Sequence, residues 1–158
     1  MTNATDALRS SPLAAELTPA EVGVLGGLVS LKSLADGEIL LREGARDGLL
    51  HAVIRGRIDV VKDGAHGRTL LHTVEPGELV GELSFMDELP RYASLVASGP
   101  TEVLVLARRD FETLVDREPR VVYKVMRAIM RVAHLTQRRL GLQLRDLENY
   151  LYRTGGKV

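Results

Sequence analysis

Glycine punctuates one stretch of this chain at close intervals. Between residues 31 and 107 it stands at positions 37, 44, 48, 56, 64, 67, 77, 81 and 99. Each glycine inside a helix costs about 1 kcal/mol relative to alanine, so helices do not run through such a pattern. Short strands joined by tight turns do. The segments left between the glycines favour β structure: residues 38–42, 49–55, 57–62, 69–74, 94–98 and 101–107. Several short strands about ten residues apart predict an antiparallel β-roll of the jelly-roll kind. Ile58, Val60 and Lys62 alternate with Arg57, Asp59 and Val61, as in a half-buried strand. Lys62-Asp63-Gly64 supplies a hairpin turn.

Helices are expected on either side of the roll. Thr18-Pro19-Ala20-Glu21 combines a capping threonine, a proline suited to the first helical position and a glutamate that completes a capping box. A short helix should follow, to about residue 29. The polar residues before it, 1–14, are expected to be a flexible tail. Beyond the roll, residues 110–117 place Phe111, Leu114 and Val115 on one side of a short helix. Pro119 then opens a long one, to about residue 152, with Gly155 and Gly156 as its stop. Its apolar stripe runs Val122, Val125, Ile129, Val132, Thr136, Leu140, Leu144, Leu147, Leu151, with Thr136 the one polar member. Eight steps cover 29 residues, which is the period of a straight α-helix. The fold class is therefore α+β: a flexible tail (1–14), a roll with short flanking helices (15–118) and a long C-terminal helix (119–152).

Composition narrows the chemistry. Cysteine is absent, which removes disulfides, thiolate metal sites and a cysteine nucleophile. The histidines, at 51, 66, 72 and 134, contain no pair one residue apart, so a metal site of the cupin kind is not expected. No serine sits in a nucleophile elbow, and no enzyme activity is expected. No apolar run reaches membrane-spanning length and the first residues lack a signal-peptide layout, so the expected home is the cytoplasm. The net charge of zero argues against a polyanion binder, yet it hides an asymmetry. Residues 119–145 carry seven basic residues and no acidic one, which leaves the remainder at a net −7. A basic helix can dock on an acidic body or serve a partner.

The densest chemistry lies between Glu75 and Ala97. Gly81-Glu82-Leu83-Ser84 marks the end of a strand and the start of a helical turn, where free backbone N–H groups favour an anion. Glu82 adds an acceptor for a sugar hydroxyl. Nine residues later Arg91 brings a guanidinium that meets two phosphate oxygens at once, as lysine does not. One acceptor, one fork and a patch of amides suit a small nucleotide. The bland reading is a surface ion pair between Glu82 and Arg91.

These residues resemble the phosphate-binding cassette of cyclic-nucleotide-binding domains, as in the catabolite activator family and the regulatory subunits of cyclic-AMP-dependent kinase. That cassette reads roughly G-E-L-[AS], a variable turn, then R-x-A-[ST]; the chain has Gly81-Glu82-Leu83-Ser84 and Arg91-Tyr92-Ala93-Ser94. The resemblance covers about residues 15–145. It implies a ligand site made of Gly81, Glu82, Leu83, Ser84, Arg91, Tyr92 and Ala93, with Glu82 on the ribose and Arg91 on the cyclic phosphate. It also places Thr136 where the family's long helix contacts the purine; the bland alternative has Thr136 bonded to its own backbone. Two positions depart from the pattern. Gln137 replaces a serine, and Tyr92 replaces a small residue or threonine. Tyr92 has three readings: stacking on the base, filling the pocket, or ordinary strand packing with the ring buried.

The implied function is a stand-alone sensor module that binds cyclic AMP, with cyclic GMP the alternative ligand, and signals through its C-terminal helix to a downstream protein. No cofactor is implied. A homodimer through that helix is expected. Only about six residues follow Tyr152, too few for a helix-turn-helix, so direct sequence-specific DNA binding is not expected. The rival reading is an interaction protein of the same fold with a degenerate pocket.

Overall fold

The six glycine-bounded segments all form strands, and two further strands join them. In the computed structural model, which describes residues 3–155, β1 (Val29–Leu34), β8 (Thr101–Ala107), β3 (Leu49–Arg55) and β6 (Leu79–Val80) lie in that order in one antiparallel sheet. The second holds β2 (Ile39–Leu41), β7 (Ser94–Ala97), β4 (Ile58–Gly64) and β5 (Gly67–Val74). β1 and β6 escaped the sequence pattern. In β1 the apolar residues at 29, 31 and 34 break the alternation, and β6 is only two residues long. Ile58 and Val60 are buried as expected, but the register shifts between Val60 and Val61, and Val61 turns inward too. The β4–β5 ladder continues to Gly64 and Gly67, so the turn is Ala65-His66 rather than Lys62-Asp63-Gly64. An Asp63–Arg68 ion pair across the ladder holds those residues in the strands.

Successive residues of a strand face opposite ways, and the first sheet uses both faces. Leu50, Ala52, Leu104 and Leu106 join a core between this sheet and the helices. Val53, Val80 and Val103 join a second core between the two sheets, with Ile58, Val60, Ala93 and Leu95 from the other side.

The expected tail is corrected. Residues Ala4–Ser10 form α1, capped by Asn3, whose side chain accepts the Asp6 N–H at 2.8 Å. Ala7 and Leu8 are fully buried in the helix-side core, and Leu13 in the following 3-10 turn is buried too. So short an apolar face, two residues in seven, leaves almost no periodic signal. α2 (Pro19–Gly26) carries the expected capping box and stops three residues early, because Val29 begins β1. α4 (Arg108–Glu112) and α5 (Leu114–Arg117) bury Phe111 and Leu114, whereas Val115 is exposed.

α6 (Pro119–Gly155) has 37 residues, about 55 Å of helix. Its stop cannot be followed further, since Gly156 lies outside the described residues. Only its first half is covered. Val121, Val125, Ala128 and Ile129 are buried, while Leu140, Leu144, Leu147 and Leu151 are exposed. The basic residues dock on the acidic body. Lys124 pairs with Glu21 at 2.7 Å, Arg131 and Arg127 with Glu16 at 3.1 and 3.4 Å, and Arg139 with Glu78 at 2.7 Å.

Docking of α1 has a direct test. Leu8→Ala should lower unfolding free energy by about 2–4 kcal/mol in urea titrations, as expected for a fully buried leucine. A loose N-terminal segment would give a change close to zero.

Candidate functional site

The cassette begins with a residue that only glycine suits. Gly81 has φ +82°, and a Cβ there would overlap the guanidinium of Arg91. It caps α3 (Glu82–Asp87), whose first backward bond runs from the Phe85 N–H to the Gly81 carbonyl at 3.0 Å. The N–H groups of Glu82, Leu83 and Ser84 therefore have no backbone partner within the helix, and that of Glu82 is met by its own carboxylate. Phe85 is fully buried, with its ring centroid 5.8 Å from that of Phe111 in α4. This contact seats the cassette helix on the helical layer.

Arg91 is 5% exposed, and its guanidinium is heavily engaged. Nε donates to Asp47 Oδ2 at 3.2 Å and Nη2 to Asp47 Oδ1 at 2.6 Å. Nη2 also donates to the Leu49 carbonyl, and Nη1 donates to the Gly81 carbonyl at 2.9 Å. Four of its five N–H groups are used, and the fifth, on Nη1, is left. The fork expected for a phosphate thus holds the Asp47 carboxylate, and the surface Glu82–Arg91 pair is not formed. Backbone bonds strap the same place together: Gly44 N–H to the Arg91 carbonyl at 2.7 Å, and Arg91 N–H to the Ala45 carbonyl at 2.9 Å.

Asp47 was not singled out in the sequence. Asp47-Gly48 reads there only as a turn before β3. Burial raises its proton affinity, but the hydrogen bonds from Arg91 and from the Leu49 N–H outweigh this and hold the carboxyl below its ordinary value. Glu82 is half-buried, and burial is the main cause that pushes its carboxyl up. Ala93 is buried, Ser84 is half-buried and Leu83 is exposed. A cavity of about 220 Å³ touches Arg91; Arg46, Asp47, Ser84, Glu88 and Arg108 help to line it, and Glu82 does not. Arg108 pairs with Glu88 at 2.8 Å, tying the end of α3 to the start of α4.

Tyr92 departs from one of its three readings. It is 61% exposed rather than packed on the strand. Lys62 Nζ lies 5.7 Å from the ring centroid and donates to the Tyr92 carbonyl at 2.7 Å. Thr136 is half-buried on α6. One turn further on, the Arg139–Glu78 pair fixes the helix to the turn that leads into β6 and the cassette.

Residues 31–118 match the cyclic nucleotide-binding domain. The chain belongs to the cyclic nucleotide-binding domain family. It is 32% identical over 126 residues to the cyclic AMP receptor protein of Thermus thermophilus, covering 78% of this chain and 58% of that protein. Its fold is similar to a crystal structure of a cyclic nucleotide-binding domain from Methylobacillus flagellatus, with a TM-score of 0.80 and 26% identity over 94% of this chain and 87% of that one. The crystal structure of the Thermus thermophilus catabolite activator protein gives a TM-score of 0.68 and 30% identity, over 92% of this chain and 72% of the other. The chain thus spans a little over half of that receptor protein's length. All cassette residues of this cyclic nucleotide-binding domain lie inside the matched span, and Thr136 lies beyond it.

The Arg91–Asp47 pair is almost buried, so breaking one side strands the other charge. Arg91→Ala should cost about 3 kcal/mol of stability, and Arg91→Ala with Asp47→Ala clearly less than the two single changes summed. A double-mutant cycle by chemical unfolding measures this; additive costs would mean the two groups do not interact.

Proposed function

We propose that this domain is a sensor for cyclic AMP, which binds at the cassette and signals through movement of α6. The observation that supports the reading is the seat of Arg91. A buried guanidinium is held rigid by Asp47, Leu49 and Gly81, with one N–H left, and the Leu83 and Ser84 amides at the head of α3 have no backbone partner within the helix. The anion site is thus preorganised: Asp47 orients the arginine, and the cyclic phosphate meets the remaining N–H and the amides. Glu82 accepts the ribose hydroxyl. Thr136 reaches the purine from α6, and the exposed Tyr92 ring stacks on the base. Ligand favours the state in which cassette and helix are closed together, a shift between pre-existing populations.

Calorimetric titration with both nucleotides tests this. Cyclic AMP should bind, and more tightly than cyclic GMP, because the tyrosine hydroxyl lies too far out to serve a guanine contact. Tyr92→Ala should weaken binding by about 1 kcal/mol, the worth of one aromatic stack. Absence of any heat at millimolar cyclic AMP would sink the sensor reading. The filled fork of Arg91 would then favour the other one, an interaction protein with a sealed pocket and α6 as its working surface.

The same domain is proposed to be a homodimer through the distal half of α6. Leu140 and Leu144 are 51% and 64% exposed, and Leu147 and Leu151 continue the row. A row of that length is a liability in a monomer, and a two-fold pairing of identical helices covers it. The basic residues Lys124, Arg127 and Arg131 are drawn onto the protomer's own glutamates, away from a second helix. Ile129 belongs to the protomer's own core, so charge there would unfold the chain rather than probe the seam. Leu140→Asp with Leu144→Asp places charge only on the uncovered half. Light scattering should report a dimer for the wild type and a 17.3 kDa monomer for the variant. A wild-type monomer at high micromolar concentration would rule the dimer out.

A further inference from the structure

A buried polar group lies on β3, the strand whose Leu49 carbonyl accepts from Arg91. His51 stands in the middle of β3, 1% exposed, and its Nδ1 has no hydrogen-bond partner among the described residues. A buried donor or acceptor left unpaired costs roughly 1–3 kcal/mol, so its retention calls for a reason. Its direction follows from its neighbours. Leu50 and Ala52 on either side face the helices, so His51 faces the space between the sheets, as Val53 does. Its cross-strand neighbours, Val80 on β6 and Val105 on β8, face the same way and are apolar.

The strand that carries the imidazole and the end of its neighbour β6 also hold Arg91. The Leu49 carbonyl, two residues away on β3, accepts from Nη2, and the carbonyl of Gly81, the residue after Val80, accepts from Nη1. The charged groups that act on His51 are Arg91 from the cassette, Asp47 from the loop before β3 and Lys32 from β1. We propose that His51 is a further ionisable member of the ligand site, which takes up a proton as an anionic cyclic phosphate settles on Arg91. This rests on the cyclic-nucleotide reading given above.

The physical chain is short. Burial chiefly, and then the Arg91 charge, hold the imidazole neutral, with its pKa lowered to about 4; Asp47 only partly offsets them. A phosphate on the remaining Arg91 N–H brings a negative charge that cancels part of the Arg91 repulsion, in surroundings that screen it poorly. The proton affinity of His51 then rises, by about tenfold for a charge several ångströms away. Reciprocity requires the nucleotide to bind more tightly to the protonated form. Near pH 7 neither state holds the proton, and the coupling is silent. Near pH 5 a tenfold rise means uptake of roughly 0.4 of a proton and about a twofold gain in affinity. Glu82 works in the opposite sense, because the ribose hydroxyl needs its carboxylate and its pKa is already raised.

The deciding quantity is therefore the difference between wild type and His51→Gln, which keeps a polar group but does not titrate. Cyclic AMP is titrated calorimetrically at pH 5 and pH 7 in two buffers of different ionisation enthalpy. The wild type should take up about 0.4 of a proton more than the variant at pH 5, with no difference at pH 7. Equal proton counts at pH 5, with binding intact in both proteins, would overturn the role of His51 and leave the sensor reading standing. Absence of binding in both at either pH would overturn the sensor reading itself. Should the variant fail to fold, the imidazole Cε1 resonance of wild-type His51 gives the same answer. Its titration should move to higher pH with cyclic AMP present, and an unmoved titration overturns the proposal.

Discussion

One guanidinium organises the cassette end of the molecule. Arg91 reaches Asp47 in the loop before β3, Leu49 at the start of that strand and Gly81 at the head of α3. Two segments distant in sequence, 47–49 and the head of α3, are thus set against each other by a side chain that is nearly out of water. Burying an ion pair gains little net stability, because lost hydration offsets much of the attraction. What the arrangement supplies is position. A guanidinium with four of its N–H groups spoken for has one rotamer and one direction left in which to bind. The glycine at position 81 follows from the same constraint, since any side chain there would collide with that group.

The roll was legible because glycines cut the chain into strand-sized pieces, and the cassette because its glycine, glutamate and arginine resemble the pattern of a known family. Asp47 was not legible. It is 44 residues from Arg91, and only the folded chain brings it to the fork. α1 was missed for a different reason: two buried residues, Ala7 and Leu8, carry its docking, and a face that narrow has no period to detect. The stripe of α6 lies along one helical face, though Val121 and Ala128 beside it are buried and Val122 within it is only half-buried. Its division at mid-length, buried through Ile129 and bare from Leu140 on, belongs to the size of the body it lies on.

Charge and apolar surface divide the work along α6. The first half is held by valines and an isoleucine inside the helix-side core, where salt has no purchase. Ion pairs with Glu16, Glu21 and Glu78 fix the rotation of the helix about its axis, and partial exposure makes them weaker and sensitive to ionic strength. Arg139 on Glu78 is the last of these described anchors along the helix, and Gly141 follows two residues later. Beyond that point the helix leaves the body with its leucines uncovered.

The two sheets differ in how many of their faces are dry, and this bears on how such a chain can drift in evolution. β3 and β8 are packed on both sides, against helices on one and against the second sheet on the other. Every position along their centres is committed, and a change of even one methylene is felt. β5 is at the opposite extreme, exposed over most of its length at the edge of the second sheet. Packing alone therefore tolerates substitution on β5 far more readily than on the strands beneath the cassette. Two descendants of one such domain can come to look unrelated on the outside and still hold an arginine in the same place.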